Sequence, residues 1–379
     1  MKIFKIDSKT DFIEICKEIE PHKAGIKFME KKASLNYFYL KDIKAPAANI
    51  LKQDALSIGA ELVCEKSVIL GQGLSNALLI ANDKQVEMLA KKEAMQDFEL
   101  KTLAKFLTNK FEKPKKPLIM GVTNINEDSF NSASRVDVKS GIERIINHIE
   151  NGASYIDLGG VSSRPGSEYC GRDEEFRRIK DIIAEIYRLN LHERAKFSLD
   201  SFDEYCLEYA LNNGFYMIND ITGDTSLAKL AGKYDVEYCL MHMQGEPTTM
   251  QEDPKYDDVI DSVDEFFREK IAECEANGCK KIVLDVGIGF GKRAKDNMLL
   301  IKHLEHFLHF GYPLLVGASR KSVINAYFKS EVKDRLPGSL YLHLKAFENG
   351  AEIIRTHDVY EHHQMFTLDS EMRNLGVKQ

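Results

Sequence analysis

Eight times between Pro117 and the C-terminus, a short apolar run ends on Asp, Asn, His, Ser or Arg. The runs are LIMGVTN (118–124), YIDLGG (155–160), FSLDS (197–201), MINDI (217–221), YCLMHM (238–243), IVLDVG (282–287), LLVGAS (314–319) and IIRTHD (353–358). An amphipathic stretch usually separates one run from the next. Strands buried on both faces read as near-continuous apolar runs, and their alternation with helices implies a parallel sheet. Eight such units close a (β/α)8 TIM barrel, whose functional groups lie at the C-terminal ends of the strands. A single polar residue ending a strand reads equally well as a helix cap or a turn. Eight in succession are harder to assign that way.

The chain has 379 residues; a barrel takes roughly 250, which leaves about 100 for a second domain. The first 112 residues mix short candidate strands (2–6, 35–40, 61–65, 77–81) with helical stretches (11–20, 47–59, 83–91, 95–109), the pattern of a small α+β domain. The basic, proline-punctuated KFEKPKKP (110–117) reads as the linker, because X-Pro disfavours helix and the lysines stay solvated. The expected division is therefore a domain over 1–112 and the barrel over 113–379. GQGL (71–74) lacks the third glycine and the following helix of a phosphate loop, so it reads as a turn. No chemistry is assigned to the first domain, and oligomerisation, docking and stabilising roles stay open for it.

A formal net charge of −7 and a pI near 5.9 argue against a nucleic-acid partner. The seven cysteines form no CxxC pair, the N-terminus is too charged for a signal peptide, and no run reaches the 18 apolar residues of a membrane span. A reduced, cytoplasmic protein with no membrane partner is expected. Cys239 reads as a buried hydrophobe.

Strand ends supply Asp157, Asp200, Asn219 with Asp220, and Asp285. A carboxylate accepts the adjacent N–H donors of an aminopyrimidine edge as it accepts an Arg fork, and a neighbouring Asn offers one donor and one acceptor. A metal cage is the other use of such carboxylates, but few histidines stand at ligand spacing for zinc. A cationic set, Arg164, Lys292, Arg320, Lys321, Arg355 and His357, suits a phosphate-type anion. The glycines of DVGIGFG allow backbone to lie against a flat ligand.

In order, MGVTNINEDSF, NGASYIDLGGVSSRPGS, FSLDS, INDITG, LMHMQGEPTTMQEDPKY, LDVGIGFGK, LLVGASRKS, DRLPGS and IRTHDV resemble the successive signatures of the dihydropteroate synthases, over residues 117–360. The resemblance implies a transferase that joins 6-hydroxymethyl-7,8-dihydropterin diphosphate to p-aminobenzoate and releases pyrophosphate. It implies that Asp200, Asn219, Asp285 and Lys321 hold the pterin with Arg355 against its face. Arg355, His357, Asn124 and Arg164 would bind the diphosphate, Asn124 would help place Mg²⁺, and Phe130, Ser163, Pro165, Phe290, Lys321 and Ser322 would surround the arylamine. Loops 124–136 and 160–172 are expected to close over the diphosphate and complete the arylamine pocket, giving ordered binding. Ser163 replaces a threonine usual in the family, dropping a methyl that would pack on the arylamine. Members commonly form homodimers; the residues themselves leave the assembly open. Two rivals are a corrinoid-dependent pterin methyltransferase, which has no use for a diphosphate site, and a non-catalytic pterin-binding protein.

Overall fold

The structure is a computed structural model. It describes residues 1, 3–7, 10–125, 135–160, 169–245, 250 and 252–375, with backbone alone at 135–137. Two compact units divide the chain, Met1–Lys110 with Asp369–Gln379, and Phe111–Leu368.

The first unit runs α1 (Phe12–Ile19), α2 (Lys23–Ala33), β1 (Asn36–Lys44), α3 (Ala45–Ser57), β2 (Glu61–Cys64), β3 (Leu74–Ala81), α4 (Asp83–Glu93) and α5 (Leu100–Leu107). Its antiparallel sheet has the order β1-β3-β2. Alternation along β3 buries Ser75, Ala77, Leu79 and Ala81, and the apolar three join Leu62 and the small-residue face of α3 in one core. Asn82 caps α4 in a reciprocal capping box with Gln85. The GQGL segment is a turn, with Gly71 and Gly73 at positive φ. Residues 3–6 form no strand, although the apolar alternation there suggested one. That alternation has no partner strand beside it in the three-stranded sheet.

The second unit holds β4 (Leu118–Asn124), α6 (Arg135–Glu150), β5 (Ala153–Gly159), α7 (Arg172–Arg188), β6 (Lys196–Asp200), α8 (Glu204–Asn212), β7 (Met217–Asp220), α9 (Ala228–Tyr234), β8 (Glu237–Met241), α10 (Val259–Ala276), β9 (Ile282–Asp285), α11 (Ala294–Lys302), β10 (Leu314–Val316), α12 (Ser322–Tyr327), α13 (Leu336–Glu348), β11 (Ala351–Thr356) and, as far as Leu368, α14 (Val359–Asn374). The eight strands pair in parallel and close in the order β10-β11-β4-β5-β6-β7-β8-β9. All eight apolar runs are strands of this TIM barrel. The segment between β9 and β10 is not one helix: α11 ends at Lys302 and a 3-10 helix follows over Leu304–Phe310.

The barrel interior is layered. Met120, Tyr155, Met217, Cys239, Val283, Leu315 and Ile353 form a cluster of their own, apart from the larger core between strands and helices. Cys239 is thus a packed core residue, as its apolar run suggested. Below it, Tyr155 donates to Glu237 at 3.0 Å and Lys196 bridges both. Side chains recur on one face of a strand every second residue. The next inward positions are therefore Val122, Asp157, Asn219, Met241, Asp285, Gly317 and Arg355, a mostly polar layer nearer the C-terminal strand ends.

Candidate active site

Arg355 organises that layer. Its Nε donates to Asp157 Oδ2 at 2.7 Å and its Nη2 to Asp200 Oδ2 at 3.0 Å. Asp157 is fully buried, and its other oxygen accepts from the Ser198 hydroxyl and from Asn219 Nδ2 at 3.1 Å. Burial works against the guanidinium charge, but Asp157, Asp200 and Asp285 overcome it and hold Arg355 above its ordinary pKa. Neighbouring register positions Asn124, Gly159, Asp200 and Asn219 form one row across β4 to β7. Hydrogen-bonding groups from four consecutive strands are thereby brought to one level.

Asp285 ends β9, and its Oδ1 accepts from the Gly287 N–H at 2.8 Å. Burial raises its pKa, against the pull of Lys321 and of that N–H. Lys321 Nζ donates to the Ile288 carbonyl and stands 4.4 Å over the Phe290 ring. Burial lowers it to about 8, with Asp285 opposing and Arg355 assisting. A cation of shifted pKa beside a flat ring and two acids, Asp285 and Asp200, is the kind of environment that marks functional sites.

Four expectations change. Lys292 is not a phosphate ligand: its Nζ donates to the carbonyls of His242, Gly287 and Phe290, each at 3.0 Å. Three acceptors match the three protons of an ammonium, so Lys292 pins the loop after β9. Arg320 is likewise engaged, in a two-pronged pair with Asp358 (Nε–Oδ2 2.9 Å, Nη2–Oδ1 2.5 Å). The glycines of DVGIGFG give close approach to protein rather than ligand. A Cβ at Gly287 would lie 1.9 Å from the His242 carbonyl oxygen and one at Gly291 2.2 Å from that of Gln244. Asp220 also turns to structural work, accepting from the Thr222 N–H at 2.8 Å and the Tyr238 hydroxyl at 2.9 Å.

Behind the site lies a buried imidazole chain that sequence reasoning missed. The Ala318 N–H donates to His343 Nε2 at 2.8 Å, so that nitrogen carries no proton. His343 Nδ1 must then donate to His362 Nε2 at 2.7 Å, and His362 Nδ1 to the Asp358 carbonyl at 2.6 Å. One obligatory backbone donor fixes both tautomers and keeps both rings neutral. Burial lowers both pKa values, that of His343 most. Beside it, Ser319 Oγ lies 2.9 Å from His357 Nδ1 and accepts from the His357 N–H at 3.3 Å. Together these bonds stitch the segment after β10, which carries Lys321, to the end of β11, which carries Arg355 and His357. The only sequence signal was a histidine inside the apolar helix LYLHLKAF.

The structure thus gathers Asp200, Asn219, Asp285, Lys321 and Arg355. It adds Asp157, which the sequence offered as a strand-end acid without a role. Asn124 ends β4 half-buried, His357 is exposed one residue beyond β11, and Ser322 is exposed at the start of α12. Phe130, Ser163, Arg164 and Pro165 lie outside the described residues.

The family model described as pterin binding enzyme matches residues 120–357. A protein of Helicobacter pylori named bifunctional dihydropteroate synthase/dihydropteroate reductase is 41% identical over 350 residues, spanning 91% of this chain and 92% of its own. The dihydropteroate synthase of Escherichia coli is 39% identical over 253 residues, 65% of this chain and 88% of its own. A crystal structure of the Yersinia pestis dihydropteroate synthase with a sulfonamide drug complex superposes with a TM-score of 0.64 at 33% identity, covering 69% of this chain and 95% of that one.

Proposed function

Because this chain belongs to the family of pterin-binding enzymes, we infer that its barrel works as a dihydropteroate synthase through the polar layer around Arg355. It joins 6-hydroxymethyl-7,8-dihydropterin diphosphate to p-aminobenzoate, giving 7,8-dihydropteroate and pyrophosphate. The observation that carries this reading is the buried Asp157–Arg355–Asp200 arrangement with Asn219 and Asp285 around it. Carboxylates and an amide match the N–H and ring-nitrogen pattern of an aminopyrimidine, and a guanidinium stacks on a planar heterocycle.

Asp285 and Asn219 read the pterin edge with Asp200, while Asp157 holds the Arg355 guanidinium in place. Lys321 lies against the pterin from the side of Phe290, which with Ser322, Phe130, Ser163 and Pro165 forms the arylamine pocket. In the reaction the bond from the pterin methylene to the diphosphate oxygen breaks and a bond to the arylamine nitrogen forms, with loss of one amine proton. Charge builds on the leaving diphosphate, so its stabilisation by Arg355, His357 and Arg164 supplies most of the catalysis. An arylamine reaches the site unprotonated at neutral pH and needs no strong general base.

Asn124 fits a role beside Mg²⁺: it is a half-buried amide at the end of β4, a hard neutral oxygen of the kind this ion takes together with water and phosphate oxygens. When bound, the ion would neutralise charge on the leaving group. Pyrophosphate release tests the reading. It is expected to require both substrates and to collapse in Asp285→Asn and Arg355→Ala; release that persists in both variants would overturn it. Ordered binding predicts tighter p-aminobenzoate binding with pyrophosphate present, and equal affinity without it would sink that order.

A second activity is favoured by one observation. The alignment with the Helicobacter pylori protein is too long for the barrel unit alone and takes in most of the first unit, whereas the Escherichia coli synthase matches only a barrel-sized span. We propose that the first unit contributes to a dihydropteroate reductase activity, in which a reduced nicotinamide gives a hydride to the dihydropterin ring, directly or through a flavin, and solvent supplies the proton that completes tetrahydropteroate. Oxidation of a reduced nicotinamide that depends on 7,8-dihydropteroate, with and without added flavin, tests this. No oxidation in either arm would refute it.

A further inference from the structure

In the helical layer outside the strands lies a cluster that the synthase reaction does not use. The 3-10 helix Leu304–Phe310 has three residues per turn, which places His306 and His309 one above the other. Both face Asp264 on α10: His306 Nε2 lies 3.1 Å and His309 Nε2 2.5 Å from the same oxygen, Oδ1. The other oxygen, Oδ2, pairs with Arg268 Nη2 at 2.6 Å, which fixes the orientation of the carboxylate. The three ligand atoms lie within 4.8 Å of one another.

We propose that Asp264, His306 and His309 bind a borderline divalent transition-metal ion of the zinc class. Two imidazoles and one carboxylate are the donor set that such ions prefer and that Mg²⁺ does not. With metal–ligand bonds of about 2.0–2.1 Å, donors in a tetrahedral site stand roughly 3.3 Å apart. The present 2.5 and 3.1 Å separations need to open by less than about 1 Å. The His306 side chain is 30% exposed against 5% for His309, which gives an ion an approach from solvent and leaves a coordination position for water. An Arg on the non-ligating oxygen matches the outer-shell partners that orient metal-bound carboxylates. The ion would tie α10 to the segment that leads into β10, away from the loops at the C-terminal strand ends.

The test uses the full-length protein, stripped with chelator and kept in a non-thiol reductant, with ZnCl₂ and CoCl₂ as probes. One equivalent of zinc is expected to raise the unfolding midpoint by about 5 °C, with no shift from the same concentration of Mg²⁺. His306→Gln is expected to abolish the shift while keeping synthase activity, which shows that this partly exposed position tolerates the change. The bound cobalt is expected to give a visible spectrum without a thiolate charge-transfer band. No zinc shift in the wild type, an equal shift in His306→Gln, or a thiolate band from one of the seven free cysteines would each overturn the proposal.

Discussion

Replacing Arg355 by Met keeps most of the side-chain volume and removes the guanidinium that bridges Asp157 and Asp200. Asp157 is fully buried and Asp200 nearly so, and in the variant they face each other without the guanidinium. Breaking a buried ion pair from one side costs about 3–5 kcal/mol, because the remaining charge stays desolvated. For a domain of this size, that corresponds to a fall in the unfolding midpoint on the order of 10 °C. Differential scanning calorimetry at pH 7 measures the effect. A variant within about 1 kcal/mol of wild type at that pH would refute the buried-pair argument.

Lys292→Met takes the ammonium donor from the His242, Gly287 and Phe290 carbonyls, of which, among the described residues, only that of Gly287 also accepts a backbone bond, from the Phe290 N–H. We expect a loss of about 2–4 kcal/mol by urea unfolding together with weaker pterin binding, since the loop carrying Gly287 and Phe290 loses its pin. His343→Leu strands the Ala318 N–H and should lower kcat/KM for the pterin diphosphate about tenfold or more. His343→Gln can still accept that bond and should recover part of it, and identical kinetics for the two would argue against the imidazole chain as a positioning device. Burial raises Asp285, so pterin affinity in titrations should be complete above that raised pKa and fall as pH drops through it, starting above the ordinary carboxylate range. Asp285→Asn should bind weakly at every pH. Because Lys321 is lowered to about 8, its cation is lost as pH rises through that value, and kcat/KM should decline there. A profile flat to about pH 10 would contradict it.

The sequence by itself determined the architecture. Each apolar run is long enough for one buried strand, parallel strands need helical crossovers, and eight units close, so the polar run ends had to gather at one rim. Near-continuous apolar runs did not say which residues face inward; the two-residue strand period placed Asp157 beside the interior cluster only once the structure had put Tyr155 in it. Helix ends were legible for a local reason: Asn82 caps α4, and Gly152, Gly214, Gly278 and Gly311 take positive φ after helices.

Only the tertiary structure decided which charges were spent inside the protein. Asp157 and Arg355 are 198 positions apart in the chain, and nothing local marks them as partners. In sequence Lys321 and Arg355 differ from Lys292 and Arg320 only in following apolar strands directly; packing decided that the second pair is taken up by carbonyls and by Asp358, while the first faces the polar layer. The chain from Ala318 through His343 and His362 to Asp358, and the meeting of Asp264 with His306 and His309, are likewise products of packing. Periodicity is a property of neighbours in sequence and survives in one dimension. The use of a charge depends on what the fold brings within about 3 Å of it, and that is set only when the barrel closes.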